Sequence, residues 1–374
     1  MFDAIIIGAR CAGSPLGMLL AKAGHNVLVV DRAAFPSDTL STAALTGEAV
    51  PMLMAWGVYD KLKAAGTPEI WSTVMKCQDT EFVVPHGVIG PGMAPRRTVL
   101  DTLLVEAARE AGAEVREEFS VTKLLKDADG VVVGIEGHGA DGEPVSEHAK
   151  IVVGADGRNS FVARHVDAPK YKEKPAVTCG YYSYFSGVGA AGISIDFLPD
   201  RVVFVFPSNH GQTCLGVETK TENWDRYRAD IEGFMGESFA AAGKADLWAK
   251  AVRVERWMGA NKMDNFYRTP YGPGWALVGD AGYLKDPVLG QGINDAFRDA
   301  TALAGALDAA WSGKAPLNDA LAAYQKQRDD ASGMFYEMNH LMSQMNVTPQ
   351  HLQMMQMGID QQIGAQKAAA PAAG

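Results

Sequence analysis

The stretch that decides the fold is AIIIGARCAG, residues 4–13. A short run of β-branched residues ends at Gly8, and a helical pattern of apolar residues begins near Leu16. A second apolar run, residues 27–30, ends at Asp31. This order of strand, glycine turn, helix and strand predicts a βαβ unit, and the continuous apolar runs are typical of a parallel sheet that is buried on both faces.

The turn G-A-R-C-A-G is a variant of the dinucleotide fingerprint, with Arg10 where the middle glycine usually stands. Gly8 would make the tight turn, Gly13 would let helix and strand pack closely, and the helix amino terminus would present N–H groups to a pyrophosphate. Asp31 follows Gly8 by 23 residues, where an acid accepts hydrogen bonds from a ribose. The glycine turn and Asp31 together favour a nucleotide with an unphosphorylated ribose, as in FAD or NAD. The alternative interpretation is a purely structural turn, with Asp31 as an ordinary aspartate at the end of a strand.

Periodicity divides the chain into a nucleotide domain and a second domain. Alternating apolar residues between 176 and 256 predict an antiparallel sheet, whereas Trp275 to Val278 and a helix from about Gly290 return the chain to the first domain. We predict an FAD- or NAD-type nucleotide domain from residues 1–70, 96–172 and 265–330, a substrate domain from 71–95 and 173–264, a C-terminal helical segment over 331–367 and a frayed tail over 368–374.

Composition excludes several classes of protein. Apolar residues make up 47% of the 374 and charged residues 21%, so the chain is expected to fold. Subtracting 44 acidic from 34 basic residues gives a net charge of −10, which argues against nucleic-acid binding as a function class. The four cysteines are far apart, the histidines form no metal-ligand spacing, and no 18-residue apolar run occurs. We expect a cytoplasmic protein without a metal or a membrane span.

Two further motifs follow later strands. One is GADGRNS, residues 154–160; the other is GDA, residues 279–281, followed by DPVLGQGIND, residues 286–295. A helix that begins near Gly290 to Gly292 would offer unpaired N–H groups to negative charge, and Pro287 could not donate a competing hydrogen bond.

With these three motifs in this order, the chain from Met1 to about Arg328 resembles the single-component flavin-dependent aromatic hydroxylases, the p-hydroxybenzoate hydroxylase-like FAD monooxygenases. The resemblance implies an α/β fold: a discontinuous Rossmann-like FAD-binding domain, a mixed or antiparallel β-sheet substrate domain, and C-terminal helices. It implies FAD as cofactor and NADPH or NADH as transient electron donor. The reaction would use O2 through a C4a-hydroperoxyflavin to hydroxylate an aromatic or heteroaromatic small molecule.

The resemblance also assigns site residues. Asp31 would hold the adenosine ribose and Asp280 the ribityl chain, Asp156 would serve both FAD and the nicotinamide donor, and Arg10 would turn aside along the phosphates or near the flavin. Loop capping is the alternative for Asp156 and Asp280. The full set of cofactor-binding residues that it implies is Gly8, Arg10, Cys11, Ala12, Gly13, Asp31, Arg32, Arg97, Val121, Asp156, Gly279, Asp280, Pro287, Gly290, Gln291, Gly292 and Ile293.

The sequence departs from relatives in ways that keep alternatives open. Relatives that share the stretch at residues 38–42 often place a histidine next, but here it is Ala43, and any role of that histidine does not transfer. The W-x-W-x-I-P element of the halogenase branch is absent, and Lys76 is expected to be a surface lysine. Residues 205–207, Val-Phe-Pro, resemble the isoprenoid reductase branch. A reductase of an isoprenoid or quinone-like double bond, similar to geranylgeranyl reductase, and a non-catalytic FAD-binding protein are the alternatives.

No side chain is assigned as the catalyst. Pocket walls are proposed from aromatic residues at period two, with ordinary sheet core as the alternative: Tyr182, Tyr184, Phe204 and Phe206. A methionine stripe at 334, 338, 342 and 345 predicts flexible core packing or contact within a homodimer, and less favourably a lid over the pocket.

Overall fold

The computed structural model describes residues 1–41, 43–45, 49–86 and 91–358. Its strands are β1 (Phe2–Ile7), β2 (Val27–Val30), β3 (Glu69–Ile70), β4 (Ser72–Cys77), β5 (Thr80–Pro85), β6 (Gly92–Met93), β7 (Glu114–Arg116), β8 (Ser120–Lys126), β9 (Val132–His138), β10 (Pro144–Gly154), β11 (Lys170–Lys174), β12 (Thr178–Ser186), β13 (Ile193–Phe197), β14 (Arg201–Pro207), β15 (Thr213–Lys220), β16 (Val252–Arg253), β17 (Met258–Ala260), β18 (Asn265–Arg268), β19 (Tyr271–Gly272), β20 (Trp275–Leu277) and β21 (Tyr283–Leu284).

The α-helices are α1 (Gly13–Lys22), α2 (Ala49–Ala55), α3 (Tyr59–Ala64), α4 (Arg97–Glu110), α5 (Phe161–His165), α6 (Trp224–Ala229), α7 (Ile231–Ala241), α8 (Ala245–Lys250), α9 (Gly292–Trp311) and α10 (Leu317–Ser343). Residues 349–358 are also helical. The predicted tail, 368–374, and residues 359–367 of the predicted C-terminal segment lie outside the described residues.

The first sheet has the strand order β19-β20-β10-β1-β2-β7, and the five strands from β20 to β7 run parallel. The strands β1, β2 and β20 are buried on both faces over nearly all of their length. Ile6 and Val29 pack with the helices α1, α4 and α9, whereas Ile5 and Leu28 pack with the β8–β9 hairpin and α5. Because α1 crosses from β1 to β2 in the predicted βαβ unit, the Rossmann-like α/β fold is confirmed for this half of the molecule.

The second sheet has the order β16-β12-β15-β14-β13-β4-β5, with β17 also paired to β12. Its strands are antiparallel except for the parallel pair β13 and β4. The mixed sheet predicted for the substrate side is therefore confirmed. The division of the chain at particular residues stays a prediction; α10 runs without a break through residues 330 and 331.

Three helices, α6 to α8, interrupt the strands of this second region, and the period-two pattern did not predict them. They cover the outer face of the sheet, where Phe234, Met235 and Phe239 pack against Val203 and Val217. A local signal is present. The Asp230 side chain accepts a hydrogen bond from the Gly233 amide at 2.8 Å, and this N-cap begins α7.

The methionine stripe becomes more deeply buried towards the end of α10. Met334 is exposed, Met338 is partly buried, and Met342 and Met345 are buried in the apolar cluster on the inner face of the second sheet. Met355, from the helical residues 349–358, joins the same cluster. The end of α10 and the residues after it therefore cover the inner face, as the core-packing prediction requires.

All four cysteines are buried and none is in a disulfide. In the described residues, no group of three or more His, Cys, Asp or Glu side chains is arranged to hold a metal ion. Across the same residues, no helix combines the length and hydropathy needed to cross a membrane.

Replacing Phe239 by alanine should destabilise the protein by about 3 to 5 kcal/mol, because it would leave a cavity between α7 and the sheet. The free energy of unfolding in denaturant measures this. Val252→Ala, at an exposed side chain, is the control and should change stability by about 0.5 kcal/mol or less. Equal effects of the two substitutions would contradict the packing described for α7.

Candidate FAD site

Four of the predicted site residues lie where parallel strands end. Gly8 follows β1, Asp31 follows β2, Asp156 follows β10, and Asp280 follows β20. These strands are adjacent and parallel, so their carboxyl ends meet at one edge of the sheet. Ligands of open α/β sheets bind in the crevice at this edge.

Glycines bring the sequence motifs into direct contact. Gly8 has φ +106°, and a Cβ there would lie 2.4 Å from the Ala155 carbonyl oxygen of the second motif. A Cβ on Gly13 would lie 1.7 Å from the Gly8 carbonyl oxygen. Gly279, at φ +61°, would place a Cβ 2.9 Å from that of Ala12. The three separated motifs therefore pack against one another, and side chains larger than hydrogen would push them apart.

Asp31 lies against the glycine turn. Its carboxylate accepts hydrogen bonds from the Ala9 amide at 2.8 Å and from the Ala33 amide at 2.9 Å. Arg32 is exposed beside it. The Phe119 amide donates to the Asp31 carbonyl, which places the start of β8, and with it Val121, next to the end of β2. The predicted adenosine residues are thus neighbours; their contact with the nucleotide stays a prediction.

The most heavily used carboxylate of the site, Asp101 on α4, was missed by the sequence analysis. It is fully buried and accepts hydrogen bonds from Arg10 at 2.6 Å, from Arg97 at 3.0 Å on each oxygen, and from the Cys11 thiol at 3.3 Å. Burial raises the pKa of the Cys11 thiol. Arg10 also bonds to Ser37, so its side chain is turned away from the glycine turn, as its size requires.

The available signal for Asp101 is its spacing. It lies four residues after Arg97, at the distance where opposite charges pair on a helix. Sequence alone did not show that Arg10, 91 residues away, would share the same carboxylate.

Asp156 caps α5. One carboxylate oxygen accepts from the Phe161 amide at 2.6 Å and from the Val162 amide at 3.3 Å. Its other oxygen, Oδ1, is buried with no hydrogen-bond partner among the described residues. Burial raises the pKa of Asp156. Loop capping is thus present, and Oδ1 in addition is available to a ligand.

Asp280 is open to solvent at the crevice, but protein surrounds its carboxylate. This crowding raises the pKa of Asp280 to about 6, and the positive charges of Arg97, Lys285 and Arg158 partly oppose the shift. Asp295 adds to it by repulsion. An acceptor held in a crowded position with nearby cations suits the hydroxyl groups of a cofactor chain.

A small cavity of about 20 Å³ connects Asp280 to a buried charged cluster. Lys285 donates to Asp295 at 2.5 Å and to the Tyr283 hydroxyl at 3.0 Å, and Arg298 donates to Asp295 at 2.7 Å. Burial pushes the pKa of Asp295 upward, but the charges of Lys285 and Arg298 outweigh it and leave the pKa lowered. The cavity has polar walls and is large enough for one water molecule.

The third motif continues as a loop at the amino terminus of α9. Gly290 is left-handed at φ +64°, and a Cβ on Gly292 would meet no atom of the described residues within 4 Å. Gln291 is the N-cap of α9 and makes no side-chain cap, whereas Pro287 is exposed and Ile293 is buried. Within the described residues, the space beside Gly292 is thus open, at the end of the helix where backbone N–H groups lack partners inside the helix.

The predicted aromatic wall residues lie on the inner face of the second sheet. The Tyr182 hydroxyl donates to the Ser41 carbonyl at 3.0 Å and accepts from the Ser41 amide at 2.7 Å, which ties β12 to the first region. The Tyr184 ring lies 3.9 Å from the Arg96 guanidinium. Phe204 stacks on Phe206 at 5.2 Å. Lys76 is exposed on β4, as predicted.

The residues present fit FAD. Among the described residues, Asp156 Oδ1 is an acceptor without a partner, and Gly292 leaves space where a side chain would stand. The helix α1, which is described in full, begins without a side-chain cap and without an acidic residue in its first turn. Gly8 to Gly13 would hold the pyrophosphate, Asp280 the ribityl hydroxyls and the α9 start the pyrimidine edge of the ring.

Comparison with known families agrees with this geometry. The family described as FAD binding domain matches residues 1–335. The chain belongs to this FAD binding domain family. It is an FAD-dependent oxidoreductase, and the predicted cofactor FAD is confirmed at that level.

The proteins to which this chain is similar are named for different reactions. Digeranylgeranylglycerophospholipid reductase 2 of Methanopyrus kandleri is 29% identical over 304 residues, 78% of this chain and 73% of that protein. A triple mutant of the flavin-dependent brominase Bmp2 superposes with a TM-score of 0.87 at 22% identity, over 98% of this chain and 94% of that one. Pseudomonas aeruginosa PqsL, in complex with 2-aminobenzoylacetate, gives 0.80 at 22% identity, over 94% and 98%. The structural likenesses show the shared fold.

Replacing Asp101 by asparagine should destabilise the apoprotein by about 3 kcal/mol, because two guanidinium groups would lose their buried counter-ion. Denaturant unfolding measures the change. Glu106→Gln, at an exposed position of the same helix, should shift stability by about 0.5 kcal/mol or less. A D101N protein as stable as the E106Q protein would contradict the role given to Asp101.

Replacing Asp280 by asparagine should have opposite effects on stability and on FAD binding. Because the folded-state pKa is raised, the stabilising contribution of Asp280 is complete below its unfolded pKa of 3.8 and is lost as pH rises through about 6. At neutral pH, the D280N apoprotein should therefore melt about 2 °C higher than wild type. At pH 3.5, the two proteins should have the same melting temperature. Its FAD affinity should fall at least about tenfold, because a charged acceptor is lost.

Melting scans at both pH values and FAD fluorescence titration test this. An unchanged affinity for FAD would remove Asp280 from the cofactor site, and a stability difference independent of pH would contradict the raised pKa.

Proposed function

We propose that this protein is a monooxygenase that uses NADPH or NADH and O2 to hydroxylate an aromatic or heteroaromatic small molecule, as in the p-hydroxybenzoate hydroxylase-like group. Bound FAD would supply the redox chemistry that activates O2. The chain itself would bind the substrate, orient it and exclude water.

One observation carries the proposal. The apolar cluster on the inner face of the second sheet contains both the aromatic residues and the loop that leads to α9: Val288 and Leu289 pack with Tyr182, Tyr184 and Phe206. An apolar cluster with aromatic members that adjoins residues 286–292, here called the cofactor loop, would suit contact with a flat aromatic substrate.

The architecture of β14 and β15 supports an aromatic wall on this face. Gly216 leaves room for the Phe204 ring, because a Cβ there would lie 2.1 Å from it. Phe204 stays partly exposed, whereas Phe206 is buried beneath it. The stacked pair would offer a ring face to the substrate, and Met342 and Met345 would cover the cluster from the other side and keep water out.

PqsL, described as a probable FAD-dependent monooxygenase and crystallised with 2-aminobenzoylacetate, shares this fold and supports the proposal. The reductase alternative is supported by the sequence identity to digeranylgeranylglycerophospholipid reductase 2. A reductase of an isoprenoid or quinone-like double bond would also use an apolar pocket. We place it second because the aromatic residues Tyr182, Tyr184 and Phe206 belong to the same cluster as the loop residues Val288 and Leu289.

The test measures the fate of O2. The purified holoprotein is supplied with NADPH or NADH, isotopically labelled O2 and a panel of aromatic acids and ketones that begins with 2-aminobenzoylacetate. We expect substrate-stimulated oxygen uptake and a product heavier by one labelled oxygen atom. Bromide in a parallel sample checks for halogenated product.

The reductase arm uses an isoprenoid lipid under anaerobic conditions. A product heavier by two hydrogen atoms, without oxygen uptake under air, would overturn the monooxygenase proposal in favour of the reductase. Halogenated product would overturn it in favour of a halogenase. Absence of any product with bound FAD would favour a non-catalytic FAD-binding protein.

A further inference from the structure

Two buried carboxyl groups meet directly behind the cofactor loop. Asp286, which immediately precedes Pro287, is fully buried, and Glu218 on β15 is 5% exposed. The two side chains are in hydrogen-bond contact with each other, and Thr178 on β12 contacts both. Glu218 lies opposite Gly180 in the sheet, on the same face as Cys214 and Gly216.

Asp286 holds the loop. Its carboxylate accepts a hydrogen bond from the Val288 amide at 3.1 Å and so caps the turn Pro287–Leu289. Its own amide donates to Asn265 at 2.8 Å. The Leu289 amide donates to Asn339 of α10 at 3.3 Å. The turn that ends at Gly290, just before the α9 start, is therefore anchored from inside through Asp286.

Glu218 is arranged for its neutral form. Its Oε1 is buried and has no hydrogen-bond partner among the described residues. An ionised Glu218 would therefore place a charged oxygen without a donor beside a second carboxylate. A protonated Glu218 can instead donate its one O–H to Asp286, which leaves Asp286 as the acceptor for Val288 and Thr178.

We propose that Glu218 is a positioning residue of the FAD site. Its protonated carboxyl holds the Asp286 carboxylate, Asp286 holds the 286–292 loop, and ionisation of Glu218 releases the loop and weakens FAD binding. Ionisation breaks the Glu218 O–H bond, and the proton passes to hydroxide in the solvent. The inference depends on FAD binding and not on the reaction proposed above.

The pH dependence has a definite sign. Burial and the neighbouring Asp286 raise the pKa of Glu218 well above its usual value, and burial raises the pKa of Asp286. A carboxyl group whose pKa is raised in the folded protein contributes to folding stability. This contribution is complete below the unfolded-state pKa of 4.5 and is lost as pH rises through the folded-state pKa. The loop anchored by Asp286 should therefore lose stability towards alkaline pH, and, if FAD binding requires the anchored loop as proposed, FAD should be held at low pH and released towards alkaline pH.

The other titratable groups around the pair do not produce the same change. His340 of α10 faces Asp286, but burial lowers its pKa, so it is already neutral at alkaline pH. Cys179, on β12, lies near Glu218, and burial raises the pKa of the Cys179 thiol to about 12. Thr178 and Asn265 do not titrate.

The experiment compares Glu218→Gln with wild type and with Glu222→Gln, a matched change at an exposed glutamate. The glutamine amide can still donate to Asp286 but cannot ionise. FAD fluorescence titrations of the full-length protein are made from about pH 6 to pH 9. We expect the dissociation constant of wild type and E222Q to rise about tenfold over this range, as one pKa unit of difference between the bound and free states allows. That of E218Q should stay constant within about twofold.

A Glu218→Leu variant removes the donor as well and should bind FAD weakly at every pH. Circular dichroism of each apoprotein checks that it is folded. If E218Q shows the same alkaline loss as wild type, or if wild type binds FAD equally at all pH values, the proposal is wrong. Because only FAD binding is measured, a failure to hydroxylate any substrate leaves this result unaffected.

Discussion

The whole site depends on the close approach of separate backbone segments at the carboxyl ends of the parallel strands. Gly13 lies against the Gly8 carbonyl, Gly8 against that of Ala155, and Gly279 against the Ala12 side chain. Each contact joins pieces of chain that are far apart in sequence. Because a Cβ at these glycines would overlap backbone or side-chain atoms, the crevice has one geometry, and the aspartates that follow the strands are held around it.

Charge is the second constraint, and the protein meets it by pairing. The Asp101 carboxylate neutralises Arg97 and Arg10, and Asp295 does the same for Lys285 and Arg298. Asp280 lies between these two clusters, and the crowding of protein around its carboxylate raises its pKa to about 6. Buried pairs contribute little net stability. Their effect is to fix donors and acceptors around the crevice before a cofactor with its own negative charges enters.

Local patterns predicted the parts of the fold that local chemistry decides. The run before Gly8, the turn and the strand ending at Asp31 are specified by neighbours in sequence, and so is the start of α9 near Gly290 to Gly292. Asp101, Lys285 and Glu218 were not predicted as site residues. Their significance comes from partners on other elements, so only the folded chain shows it. The helices α6 to α8 were missed because the alternating strands on either side dominated the pattern of that region.

The two faces of the second sheet explain how cofactor and substrate regions are joined. On the outer face, Val203 and Val217 pack under α7 and take no part in the crevice. On the inner face, Phe204 packs against the cluster that contains Val288 and Leu289, and Glu218 contacts Asp286 at the start of the loop. Because alternate side chains of one strand point to opposite faces, the packing that anchors β14 and β15 to the helices also fixes the height of Phe204 and Glu218 above the loop. The distance between aromatic wall and cofactor loop is thus set by the outer core.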